Sequence, residues 1–527
     1  MLFNSPEFIF LFLPIALFIF FVIGGRGYRR MAIVWLVAAS LFFYAGSNPA
    51  FLGLLIFSTI FNYSVGLALG SELVFDRFQV PIPKKWLLGI GIAVNLVLLG
   101  YFKYTNFFID TVNNLSGTSF SIRQMILPLG ISFFTFVQIA YLVDVYRGET
   151  KEENPLNYLL FVSFFPKLIA GPIVRHKDFM PQLSANERYR FNRSDLVIGL
   201  TIFSIGFFKK AIFANGIASF ANPVFDSAAK GISLTLFEVW VGVLAYTLQL
   251  YFDFSGYSDM AIGIARMFGI QLPLNFDSPY KALNISDFWR RWHITLSNFL
   301  RDYIYIALGG NRKGNLRRNF NLMITMLLGG LWHGAGWNFV IWGGMHGAYL
   351  VIHRQWQLFR KSLGQDLQKS SWWSRWLARI VTFIAVAVSW IFFRAENMKT
   401  VSVMLAGGIG LNGLSLPPFL SGNLSFMQNW GVKFDGLTPH LETNPWYAMS
   451  GVLLLLLIAW FTPNTQEWLA QYKPAFDYQN PKNCHPFWQK FQWQPNMGFG
   501  LLFGFLLFFC LKTFLEATKS DFIYFQF

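Results

Sequence analysis

"FIFLFLPIALFIFFVIGG", residues 8–25, runs eighteen residues without a charge. As a helix it spans about 27 Å at a rise of ~1.5 Å per residue, close to the ~30 Å of bilayer hydrocarbon. "GLLFGFLLFFCLKTFL" (500–515) repeats the pattern near the other end with one lysine. The whole chain agrees: of 527 residues, 54% are hydrophobic, 19% aromatic and only 13% charged, about half the charge of an ordinary soluble domain. Backbone in hydrocarbon must satisfy its own hydrogen bonds, so such segments are helices. The expected class is therefore all-α, a polytopic transmembrane protein. Spans are predicted at 8–25, 31–46, 50–70, 86–108, 125–146, 195–215, 236–256, 320–333, 337–356, 376–394, 445–461 and 497–515.

The first segment reads as retained, since no basic residues precede it and no small-residue cleavage site follows. Arg26, Arg29 and Arg30 come after it, which puts that loop in the cytoplasm and the N-terminus outside. The net charge of +16 is assigned to cytoplasmic loops against anionic membrane lipids, with no nucleic-acid partner expected. Cys484 and Cys510 show no metal or disulfide spacing, and no metal site is expected. "LNYLLFVSFFPKLIAGPI" (156–173) places Pro166, Lys167, Gly171 and Pro172 inside apolar sequence. Broken backbone at membrane depth must be enclosed by protein or line a cavity, so a re-entrant segment is expected. The polar stretches 412–444 and 463–496 read as ordered loops or interfacial helices. No internal repeat is visible, and residues 1–527 form one integral domain with its motif-bearing core at about 250–356.

Within that core, "KALNISDFWRRWHITLSNFLRDYIYIALGGNRKGNLRR" (281–318) carries eight basic residues against Asp287 and Asp302. Arg290, Arg291, Arg312 and Lys313 are the candidates for holding a phosphorylated acyl donor. An amphipathic helix on lipid headgroups explains the same charges. A helix capped by Ser286 would place His293 on one face with Trp289, Leu296 and Leu300. Further on, "LWHGAGWNFVIWGGMHG" (331–347) buries two imidazoles among indoles and glycines. His333 would stand at a helix break in a dry slot walled by Trp332 and Trp337, able to take a proton from a hydroxyl. His346 reads as a hydrogen-bonded packing residue in line with His353, and His176, His440 and His485 as surface residues. In "YFDFSGYSDMAIGIARMFG" (251–269), Asp253, Tyr257 and Asp259 are expected to face a cavity. There the carboxylates either orient a histidine or pair with a cation such as Arg266. No HExxH, P-loop or GxSxG motif is present, and "GIGLNG" (408–413) lacks the strand–helix context of a dinucleotide site.

In order and spacing, 251–269, "LPLNFDSPYKALNISDFWRRWHITLSNFLRDYIYI" (272–306) and "LLGGLWHGAGWNFVIWGGMHG" (327–347) resemble the membrane-bound O-acyltransferase family. "SWIFFRAE" (389–396) continues the match, which is strongest with the bacterial alginate O-acetylation branch. The resemblance implies helices around a funnel or tunnel. It makes His333 of the "WHG" motif catalytic and aligns His293 with the family's second histidine. It further implies an acyl group, acetyl foremost, drawn from acetyl-coenzyme A or an acyl carrier thioester, with no permanently bound cofactor. The acceptor would be an exported polysaccharide, reached through a periplasmic O-acetyltransferase partner from a multi-pass protein of the bacterial inner membrane. An export channel with a histidine proton relay, or a scaffold without catalysis, are the competing expectations.

Overall fold

The computed structural model describes residues 1–46, 48–70, 83–121, 125–367, 369–441, 444–476, 478, 488, 491–516 and 522–523. Helices run through α1 (Phe8–Gly25), α2 (Arg29–Ala45), α3 (Ala50–Gly70), α4 (Lys84–Ser116) and α5 (Ile131–Tyr146). The short α6 (Pro155–Ser163), α7 (Phe165–Leu168) and α8 (His176–Ser184) follow, then the long α9 (Arg193–Ala229) and α10 (Leu236–Met267). Next come α11 (Ile285–Arg291), α12 (Ile294–Phe299), α13 (Gly314–His333), α14 (Trp337–Ser362) and α15 (Trp372–Arg394). The described residues close with α16 (Met398–Gly408), α17 (Pro445–Phe461) and α18 (Met497–Glu516). Six of these segments, α1, α3, α4, α9, α15 and α18, are long and apolar enough to cross a bilayer. All twelve predicted spans fall on helices, and the fold is helical and polytopic.

Burial sorts the helices into shells. α10 is buried along nearly its whole length and α5 on every face, so both are surrounded by protein. The crossing of α9 and α10 depends on glycine at four places. A Cβ on Gly199 would lie 2.6 Å from the Gly263 carbonyl oxygen, and one on Gly206 2.6 Å from that of Gly256. Two glycines seven residues apart on one helix therefore face two glycines seven apart on an antiparallel neighbour, and the backbones touch. α13 and α14 meet in the same way, since a Cβ on Gly330 would lie 2.3 Å from the Phe339 oxygen.

The expected break within 156–173 is present. α6 ends at Phe164, whose extended ψ of 107° precedes Phe165-Pro166, and α7 is one turn long. Phe164, Phe165, Pro166, Lys167, Leu168, Ile169 and Ala170 are buried, so the broken backbone is enclosed by protein.

Basic residues gather at one end of the bundle. Arg29 donates to the Ser184 oxygen at 3.3 Å, Arg147 to that of Asp302 at 3.3 Å, and Lys281 to that of Thr462 at 2.7 Å. Arg266 meets Asp195 at 2.8 Å, and Arg188 reaches the Gly269 carbonyl. Arginine and lysine side chains thus concentrate where α5, α8 and α10 end and where α2 and α9 begin.

Candidate active site

α13 stops at His333 because Gly334 and Gly336 leave the helix in extended conformations, at φ −155° and −168°. A Cβ on Gly334 would sit 2.1 Å from the Phe339 ring, so no other residue fits this turn unchanged. His333 is 5% exposed. Its ring centroid lies 4.9 Å from Trp332, 5.1 Å from Trp342, 5.3 Å from Phe393 and 6.3 Å from His293. The helix break thus sets an imidazole in an aromatic box.

His293 reaches the same place by a different break. Its φ of +43° is left-handed, and it separates α11 from α12. Its Nδ1 lies 3.0 Å from Asn275 Oδ1, which also accepts from the Thr295 backbone N–H at 3.4 Å and the Thr295 hydroxyl at 3.0 Å. A backbone N–H only donates, so that Asn275 atom is the carbonyl oxygen and His293 Nδ1 carries the proton. Nε2 is then the basic nitrogen. A similar argument fixes His346: its Nδ1 accepts from the Trp289 indole at 3.2 Å, leaving Nε2–H to donate to Ser389 Oγ at 3.0 Å. Ser389 passes its own proton to the Val386 oxygen at 2.7 Å. His346 is fully buried and holds Trp289 in place.

Two cavities flank this box. A chamber of about 770 Å³ opens on the basic end, lined by Trp289, Arg290, Arg301, Arg318, His353 and Arg354 among others, with no carboxylate in its lining. Arg318 is 8% exposed, and its Nε is buried with no hydrogen-bond partner among the described residues. On the opposite side lies a cavity of about 80 Å³ lined by Lys103, residues 127–133, Ile169, Ala170, Trp332 and His333. No residue lines both. Trp289, on the chamber wall, is 5.9 Å from Trp342, which is 5.1 Å from His333, so two indoles in succession link the chamber to the imidazole.

Residues 151–393, the stretch that contains both histidines, match the membrane-bound O-acyltransferase family. A peptidoglycan O-acetyltransferase of Helicobacter pylori is 45% identical over 444 residues, covering 79% of this chain and 81% of that protein. The chain belongs to the membrane-bound O-acyltransferase family. A probable alginate O-acetylase AlgI of Pseudomonas aeruginosa is 41% identical over 435 residues, 81% of this chain and 78% of that protein. A teichoic acid D-alanyltransferase of Streptococcus thermophilus is 27% identical over 418 residues, 73% of this chain and 93% of that protein.

This O-acyltransferase arranges the sequence-predicted residues unevenly. His333, His293 and Trp332 come together, and Arg290 lines the chamber. The other three expected donor-binding residues do not. Arg291 is held by Asp287 at 3.0 Å and Asp277 at 3.5 Å, and Arg312 and Lys313 are exposed outside the chamber lining. Three expected cavity-lining residues are also elsewhere. Trp337 is 55% exposed with its ring against Phe107, because the extended Gly334–Gly336 link turns it away. Tyr257 stacks on Phe3 and meets Phe522 edge-on. Asp253 meets Lys210 Nζ at 2.5 Å and accepts the Ile523 N–H at 3.0 Å. Asp259 pairs with Lys209 at 2.7 Å, while Arg266 has gone to Asp195. Neither carboxylate orients a histidine or pairs with Arg266.

Three local readings are corrected as well. The expected continuous helix through Trp289 and Leu300 is broken at His293, and its N-cap is Asn284, not Ser286. His176 is 2% exposed, with Nδ1 2.6 Å from Thr150 Oγ1 and Nε2 3.5 Å from Glu152. His485 and Cys484 lie outside the described residues, whereas Cys510 is buried on α18. Sequence reasoning passed over Arg301, Arg318 and Arg354 individually. Their signal was a basic residue in the charged stretch or on the next long helix, but which of them turn inward depends on how α12, α13 and α14 pack.

Proposed function

We propose that this enzyme passes an acetyl group from a cytoplasmic thioester to a hydroxyl presented on the far side of the bacterial inner membrane. The acceptor pathway ends on an exported, alginate-like polysaccharide and runs through a periplasmic partner. The observation that carries the reading is the position of His333: it lines the small cavity and is linked through the rings of Trp342 and Trp289 to a cationic chamber at the basic end. Arg290, Arg301, Arg318 and Arg354 supply the positive lining for the phosphates of acetyl-coenzyme A or a phosphopantetheine arm. The small cavity, at about 80 Å³, holds two or three water-sized groups and no sugar ring. A slender hydroxyl-bearing side chain of a partner fits it better than the polymer itself, which is the support for an indirect route.

In the step proposed, His333 takes the proton of the acceptor hydroxyl as its oxygen attacks the thioester carbonyl. Nearby N–H donors hold the oxyanion. Collapse of the tetrahedral intermediate breaks the carbon–sulfur bond, and the thiolate leaves with the proton returned by His333. The relatives named for peptidoglycan and for alginate differ in their polymer, and both are acetylated on hydroxyls. His333→Ala is expected to insert normally, with unchanged membrane abundance, and to leave the exported polysaccharide without O-acetyl groups while its secretion continues. Wild-type acetyl content in that variant overturns the assignment; loss of secretion instead points to an export role.

A further inference from the structure

The end of α13 is held from outside its own helix. A helix that stops at His333 leaves its last carbonyls without N–H partners. The Gly334 N–H goes back to Gly330 at 3.4 Å and the Gly336 N–H to Gly334 at 3.1 Å, so the link residues supply nothing to Leu331, Trp332 or His333. All three oxygens are instead filled by two consecutive side chains of α4. Lys103 Nζ donates to the Trp332 oxygen at 2.6 Å and the His333 oxygen at 3.1 Å, and the Tyr104 hydroxyl donates to the Leu331 oxygen at 2.8 Å. A local irregularity lets neighbours in sequence do this. Gly100–Tyr104 form a single π-turn in α4, which widens the helix and brings both polar tips to one side. The ammonium also lies 5.9 Å from the Trp332 ring centroid and forms part of the small cavity wall beside His333.

We infer that Lys103 and Tyr104 are positioning residues for His333: they clamp the terminal carbonyls of α13 and so hold the imidazole at the angle that acyl transfer requires. Three features of the helix end support this role. His333 is the last residue of its helix, and last turns fray unless capped. A cation is the favourable partner for a helix C-terminus, where the dipole is negative. The residues that follow, 334–336, are two glycines and an alanine with no side chain able to do the work. Lys103 and Trp332 are 229 positions apart in the chain, which is why no local motif announces the contact.

The inference rests on His333 as the reacting base, and its test separates the two. Full-length protein in lipid nanodiscs is compared as wild type, K103M, K103R, Y104F and H333A. Two readouts are taken: hydrogen–deuterium exchange of the peptide covering 327–337, and thiol release from acetyl-coenzyme A with N-acetylserinamide as the hydroxyl acceptor. K103M is expected to speed exchange of that peptide alone and to lower kcat about tenfold or more with the KM for the donor unchanged, as a misaligned reacting group does. K103R restores both in part, since a guanidinium again donates to the carbonyls, and Y104F shows a smaller loss of the same kind. H333A abolishes thiol release without speeding exchange. Wild-type exchange and turnover in K103M and Y104F overturn the clamp. So does a K103M defect confined to donor KM, or one that K103R worsens. Should K103M fail to fold, Y104F, which removes one hydroxyl, decides the matter by the same two measurements. Persistent transfer in H333A removes His333 as the base while leaving the clamp to be judged by exchange alone.

Discussion

Arg318 illustrates what a single side chain contributes here, because a buried guanidinium nitrogen without a partner is costly unless something negative arrives to meet it. Arg318→Gln is expected to raise the KM for the thioester donor about tenfold with kcat little changed, the mark of a contact equally strong in ground and transition states. Arg312→Gln, on the exposed turn outside the chamber, leaves both constants near wild type. A lowered kcat at unchanged KM in the Arg318 variant contradicts a donor-binding role. Asn275 gives the complementary case. Its oxygen is what places the proton of His293 on Nδ1. Asn275→Leu removes that acceptor and strands Thr295 as well, so kcat is expected to fall at least about tenfold through loss of orientation, with the donor KM held. Unchanged turnover means that His293 has no part in the chemistry. At this scale the sequence was informative about residue type and poor about partners. An imidazole amid indoles was conspicuous at 333 and at 293. By contrast, the cation for Asp253 lies 43 residues upstream, and the indole that fixes His346 lies 57 residues away. Such pairings exist only once the helices have packed.

Helices were the most legible part of the fold, because bilayer thickness dictates the length of an apolar run and the backbone has no other way to satisfy itself there. What the runs did not disclose is where they are interrupted. Among the described residues, four π-turns, at Phe8–Phe12, Gly100–Tyr104, Lys209–Ala214 and Leu300–Tyr305, lie inside or at the ends of apolar helices, and three of them present basic residues to buried partners or a cavity. A widened turn costs one good hydrogen bond, and tertiary contacts such as Lys209 with Asp259 and Thr465 offset it. These contacts are absent from any local window of sequence. The glycine spacing was readable in principle: Gly199 and Gly206 on α9, Gly256 and Gly263 on α10, each seven apart. Without knowing which helices neighbour one another, the spacing could not be assigned to a crossing. It now predicts a stability effect. Gly206→Leu forces apart backbones that touch at the Gly256 oxygen and is expected to destabilise by ~1–3 kcal/mol or more through overpacking. Thermal unfolding of the detergent-solubilised protein checks this. Gly216→Leu on the same α9, where an added Cβ meets nothing within 4 Å, serves as the control and stays near the wild-type midpoint.

For the whole molecule the question is what holds a bundle with so many broken helices to one arrangement. Part of the answer is a pair of buried ion pairs at the junction of α9 and α10. Lys210 and Asp253 are each 2% exposed, and Ile523 near the C-terminus adds its N–H to the same carboxylate. Phe522 covers the ammonium, its ring centroid 4.7 Å away. Removing one charge strands the other in a dry site, so Asp253→Leu is expected to cost ~3–5 kcal/mol, and the double variant D253L/K210M less. If the single and double variants unfold at the same temperature, the pair contributes nothing beyond packing. The other organising feature is charge asymmetry, which predicts how the two cavities face the cell. Arg29, Arg147, Arg188 and Arg266 share the end that carries the large chamber, and the positive-inside bias predicts that this end faces the cytoplasm. The small cavity, lined by residues 127–133, is then expected to open on the other side. Single cysteines in a C484S/C510S background test this arrangement. R312C, beside the chamber, is expected to react with a membrane-impermeant maleimide in inside-out vesicles only. I126C, where the native side chain is 71% exposed, reacts in right-side-out vesicles only. The reverse pattern inverts the molecule in the membrane, and with it the side from which the thioester must come. Labelling of both positions from one side removes the two-sided geometry on which transfer across the bilayer depends.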